Sequence, residues 1–184
     1  MTNPQTAAYD PLARLLHWLV FLLLAVQFGV AWTMPDVGRD TRPEGLIAWH
    51  LSIGTLILLV IVLRLLWRLS NPAPPPPATV PPWLQSLSHL VHFLLYAILL
   101  LLPLMGWGNA SSRGWDVTLF GVLPLPRLLA QGSHFGHALG DIHGVTATIL
   151  LIVSGVHVLA ALYHQFIVKD RTLARMLPLP GKAD

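Results

Sequence analysis

The sequence predicts an all-α fold, an integral membrane four-helix bundle, and three observations carry that prediction. Of 184 residues 54% are hydrophobic and only 10% charged, with a mean hydropathy of +0.65, too apolar for a water-soluble domain. Four apolar runs, at 15–33, 46–69, 87–105 and 142–168, reach the roughly 20 residues needed to cross a hydrocarbon core about 30 Å thick. None shows the two-residue alternation of a barrel strand, so helices must satisfy the backbone inside lipid.

The first span, 15–33, follows Arg14 and so could pass for a secretory signal. It is longer than a signal's apolar stretch, carries His17, Trp18 and Gln27, and is followed by no A-x-A-like site, so it is expected to stay in the membrane. The second, 46–69, runs into NPAPPPPATVPPW at 71–83, whose prolines forbid helix and favour a stiff spacer. The third, 87–105, leads to the longest connection, 106–140, which holds Trp115, Phe120, His134 and His137; loops of that length carry function or pack as lids. The fourth is 142–168. No internal repeat is evident, and residues 1–184 are expected to form one domain.

Cation placement orients the bundle. With both termini cytoplasmic, Arg14, Arg64, Arg68, Lys169, Arg171, Arg175 and Lys182 lie inside, against Arg39, Arg42, Arg113 and Arg127 outside. In a bacterium this places a multi-pass protein in the inner (plasma) membrane, its outer face toward the periplasm.

The missing residues narrow the chemistry. Without cysteine there is no covalent haem attachment, thiolate-ligated haem, iron–sulfur cluster or disulfide. Glu44, the one glutamate, falls in the outer loop between the first two spans, and the spans lack acidic residues, so a di-iron carboxylate site or a carboxylate proton relay has little to be built from. Histidine remains. His17, His50, His89, His92, His143, His157 and His164 fall in or at the edge of spans, where a titratable ring needs a partner. One such ring often bonds only a neighbouring helix; seven are harder to explain that way.

On the fourth span, His143, His157 and His164 are spaced by fourteen and seven residues, which at about 100° per residue keeps them on one stripe. His143 and His157 stand roughly 21 Å apart along the axis, enough for two flat macrocycles at different depths. His50, near the outer end of the second span, matches His143 in depth. His17, at the inner end of the first, could meet His157 or His164; depth favours His157, and helix tilt leaves His164 open. A pair of imidazoles per centre, without carboxylate or thiolate, suits a six-coordinate haem iron whose task is electron transfer. Gly29, Gly54, Gly144 and Gly155 offer a porphyrin room to approach, although plain helix packing explains any one of them equally well.

The segments ARLLHWLVF, AWHLSIG, LRLLWRLSNPAP, HLVHFLLYAILLLLPLMGW, IHG and GVHVLAALYHQFIVKDRTLARMLP together resemble the prokaryotic cytochrome b561 family over nearly the whole chain. The resemblance implies two non-covalent haem b groups, with iron ligands His17 and His157 for the inner and His50 and His143 for the outer. It places His89 and His92 among histidines that are not ligands and suit a structural or propionate-binding role, and it gives His164 no ligand role. For His134 and His137 a solvated loop position is expected.

The resemblance further implies a superoxide oxidase-like reaction, in which superoxide at the outer face gives electrons that reduce ubiquinone in the membrane. The outer loops oppose four arginines to Asp36, Asp40, Glu44, Asp116 and Asp141, so only a local arrangement of Arg39, Arg42, Arg113 or Arg127 could steer the anion. A second reading keeps the cytochrome and makes it the membrane subunit that relays electrons between a periplasmic dehydrogenase and the quinone pool. A third is a histidine-lined metal or proton transporter without haem, against which the lack of intramembrane carboxylates argues. Trp18, Trp49, Trp67 and Trp107 mark the two interfaces, and any of them could line a quinone slot.

Overall fold

The computed structural model describes residues 8–38, 40–76, 80–170 and 172–177. Arg39, Arg171 and Lys182, used above for orientation, lie outside the described residues. Four long helices form the body: α1 (Pro11–Thr33), α2 (Leu46–Ser70), α3 (Pro82–Ser112) and α4 (His134–Tyr163), the last continued by a π-helical turn (His164–Val168). A two-stranded hairpin, β1 (Thr118–Leu119) and β2 (Leu123–Pro124), interrupts the connection between α3 and α4.

All four helices are long and apolar enough to cross a membrane. Most of their large side chains face outward, with Trp32 70% and Leu69 73% exposed, as expected where the solvent is lipid and not water. The inward core is narrow. Leu16, Val20, Ile53, Ile57, Val60, Ile61, Leu99 and Leu150 form one cluster shared by all four helices. Leu150 is fully buried and lies seven residues from both His143 and His157, so the core divides the bundle into two halves.

Local chemistry sets the helix ends. Asp10 caps α1 by accepting from Ala13 N at 2.9 Å, with Pro11 at the first helical position. The same carboxylate accepts from Trp67 Nε1 at 3.0 Å, tying α1 to α2. The chain ends meet at this end of the bundle: Tyr9 N donates to Arg175 O, Trp18 Nε1 to Met176 O and Arg14 Nη1 to Leu177 O. We call this the terminal end and the opposite one the hairpin end.

The third and fourth helices are longer than their apolar runs. Residues 106–112 continue α3, and α4 begins at His134, so 106–140 is not all loop and His134 and His137 stand in the first turn of a helix. The polar side chains there are used between helices: Asn109 Nδ2 donates to Gly136 O, and Ser112 sits where a Cβ on Gly136 would meet its own Cβ at 2.4 Å. Only glycine permits that approach. Hydropathy misplaced these ends because the residues there are small and polar while their backbones pair within helices.

Candidate functional site

Two histidine pairs are delivered by helices whose backbones stay apart. Among the described residues no Cα of α4 comes within 8 Å of α1 or α2. Yet the rings of His17 and His157 bridge the first gap with centroids 6.2 Å apart, and those of His50 and His143 bridge the second at 6.0 Å. A metal–imidazole bond of about 2 Å on each side, plus about 1 Å from ring nitrogen to ring centre, sets two axial imidazoles about 6 Å apart. The separations fit an atom held between them.

The hairpin-end pair is the more enclosed. A cavity of about 250 Å³ is lined by Gln27, His50, Gly54, Gly106, His143 and Gly144 among others, and buried Val117, just before β1, helps close it. The hairpin is pinned over this end by Ser52, whose Oγ donates to Thr118 O at 3.0 Å and accepts from Phe120 N at 3.1 Å. His143 Nδ1 lies 3.0 Å from Leu102 O. A carbonyl only accepts, so Nδ1 carries the proton and Nε2 is the nitrogen left for a metal. The His143 ring also rests against Gly106, where a Cβ would stand 3.1 Å from its Cε1.

The terminal-end pair has other neighbours. His92 brings its ring to 5.2 Å from that of His157 and donates from Nδ1 to Ser88 O at 2.7 Å. Trp18 stands edge-on to His17 at 5.5 Å. Arg64 donates to Ala13 O at 2.7 Å and lies over the Tyr96 ring, which turns a charge within a span toward the terminal end. His164, at the start of the π turn, is paired with the Asp170 carboxylate just beyond it. His89 is exposed on α3, and His134 and His137 are exposed on α4. Among the described residues no cluster of three or more His, Cys, Asp or Glu is arranged to hold a metal ion.

The sequence profile of the prokaryotic cytochrome b561 family matches residues 8–179. The chain belongs to that family. It is 32% identical over 167 residues to a probable superoxide oxidase of Yersinia pestis, covering 89% of this chain and 92% of that protein. It is also similar to cytochrome b561 homolog 2 of Escherichia coli strain K12, at 29% identity over 92% of this chain and 90% of the relative. Cytochrome b561 homolog 1 of the same organism is 30% identical, with 89% and 93% covered.

Membership implies a haem b cofactor, and the residues of this cytochrome suit one. Facing imidazoles stand at axial separation, Nε2 of His143 is free, and no heavy atom lies within 4 Å of a Cβ placed on cavity-lining Gly144. Sequence reasoning missed Leu102, Gly106 and the close α3–α4 contact. A backbone carbonyl leaves no trace in a sequence, but Gly136, Gly140 and Gly144 recur at four-residue spacing, the small-residue pattern of tightly packed membrane helices.

Proposed function

We propose that this cytochrome oxidises superoxide at the periplasmic face of the bacterial inner membrane and reduces ubiquinone within it. Two superoxide anions, one quinone and two protons give two oxygen molecules and one quinol. In this reading two non-covalent haem b groups are held, the outer by His50 and His143 and the inner by His17 and His157, with both termini cytoplasmic. The observation that carries it is the pair of imidazole clamps at 6.0 and 6.2 Å, set in opposite halves of one membrane bundle. The 32% identity to a probable superoxide oxidase supports the donor.

A haem with both axial positions filled supplies one-electron transfer and has no open site for a ligand. The protein's part is to hold the clamps at fixed depth, keep water out with the Leu150 core, and present charge at the outer mouth. There Arg127 is neutralised by Asp116 at 2.9 Å. Arg113 instead donates to Gly38 O and Asn109 Oδ1, neutral acceptors that leave its charge to draw an approaching anion.

The test is stopped-flow mixing of superoxide with the haem-loaded protein in lipid nanodiscs containing a ubiquinone analogue. One quinol per two superoxide is expected, faster than spontaneous dismutation; superoxide decay at the spontaneous rate with no quinol formed overturns the reading. A second reading, a membrane subunit for a periplasmic dehydrogenase, is favoured by the apolar hairpin tip, where Val122 is 85% exposed. Such a cytochrome would be reduced by the dehydrogenase and stay oxidised under superoxide.

A further inference from the structure

We infer that Gln27 is a positioning residue for His50: once haem is bound its amide oxygen accepts the His50 Nδ1–H and so sets the electron affinity of the outer haem. The inference rests on the reading that His50 binds that haem. Gln27 is a polar side chain in the otherwise apolar stretch 19–32 of α1, and its amide oxygen is buried. It lines the hairpin-end cavity with His50, and its Nε2 donates to the His50 backbone O at 3.0 Å. Gly54, one turn along α2 from His50, leaves the amide room; a Cβ there would stand 3.4 Å from Gln27 Nε2.

Buried polar atoms are nearly always paired, and the exceptions call for an explanation. Among the described residues four buried side-chain polar atoms have no partner, and two of them are Gln27 Oε1 and His50 Nδ1. They are complementary. With Nε2 of Gln27 spent on a carbonyl, the other end of the amide is an acceptor; with Nε2 of His50 committed to iron, Nδ1 must carry a proton and donate it. The Nε2 bond already holds the amide on the His50 backbone; Oε1 and Nδ1 do not themselves meet in this structure, and their pairing would form as the imidazole turns onto iron. The opposite ligand sets the precedent, since His143 Nδ1 has its acceptor in Leu102 O.

An acceptor on Nδ1–H orients a metal-bound imidazole and makes it a stronger base, which favours the oxidised iron. One ligand of the outer pair would thus be held by backbone and the other by a side chain that substitution can reach.

The experiment is redox potentiometry of the haem-loaded protein in detergent, with haem per chain measured on the same sample. Gln27→Leu is expected to keep two haems and move one of the two reduction steps to higher potential, raising the reduced-to-oxidised ratio at a fixed ambient potential about three- to tenfold. Gln27→Glu, which retains an acceptor oxygen, is expected to move the same step the other way. Two haems with both steps unmoved in Gln27→Leu, or both steps moved equally, overturns the inference. If Gln27→Leu sheds the outer haem, Gln27→Glu decides: two haems with one step lowered supports the role, and loss in both variants refutes it. Two haems in His50→Ala would fault the ligand assignment instead.

Discussion

The two histidine pairs share a spacing and differ in what surrounds them. At the hairpin end His143 is fixed by Leu102 O and by the glycine surface of Gly106, His50 sits beside Gln27, and Ser52 pins a hairpin overhead. At the terminal end a third ring, His92, stands 5.2 Å from His157, and Arg64 and the returning C-terminal segment surround the pair. The first is a site whose geometry is set by backbone and close packing. The second is set by long side chains and chain ends, which yield more easily. One bundle therefore holds two similar clamps in unlike surroundings, and the difference can be broken one end at a time.

The largest effect is expected from removing a clamp. Under the proposed ligation of two haems, His143→Ala should lose the outer haem and His17→Ala the inner, each leaving one haem per chain by pyridine haemochrome assay, and the double variant should hold none. Two haems retained in the double variant would abolish the comparison. Next comes packing against a ring. Gly106→Val places branched atoms where even a Cβ is 3.1 Å from His143 Cε1. Overpacking of that kind costs about 1–3 kcal/mol. The variant should release its outer haem roughly five- to a hundredfold more readily to apomyoglobin, while the inner haem is retained as in the parent.

Much of this was legible in the sequence because lipid imposes simple rules. Apolar length gave four helices, and the fourteen-residue interval between His143 and His157 put two rings on one face at two depths. Depth favoured His157 over His164 while helix tilt left His164 open; the structure sets the His157 ring 6.2 Å from that of His17 and pairs His164 with Asp170. What escaped were contacts that hydropathy does not encode. Residues 106–112 read as loop because glycine, asparagine and serine are poor in apolar surface, yet Asn109 and Ser112 close the α3–α4 seam. Gln27 served only to argue that the first span was no signal, since a sequence cannot show which atoms of a buried amide and imidazole are left unpaired. The fold-back of residues 172–177 under the bundle escaped for a similar reason, being held by hydrogen bonds to backbone carbonyls from Arg14 and Trp18.

The smallest effect tests how the terminal end is strapped. Asp170 accepts from Thr172 N at 3.0 Å and pairs with His164, and its side chain is only 3% exposed. Burial works to raise its pKa, but hydrogen bonds from the Thr172 side chain and backbone and from His164 outweigh it and hold the carboxyl below the ordinary carboxylate range. Because the folded-state value is depressed, the strap's contribution is fully present above the unfolded carboxylate's value of about 3.9 and disappears as pH falls through the lower folded one. Asp170→Asn should remove it at every pH, at a local cost of about 1–2 kcal/mol. Hydrogen exchange of the amides from His164 to Met176 should then quicken by roughly five- to thirtyfold at neutral pH, while the hairpin end exchanges as before. Equal quickening at both ends would show that the two halves of the bundle are not independently held, and that the rigidity of the outer clamp is borrowed from the tail.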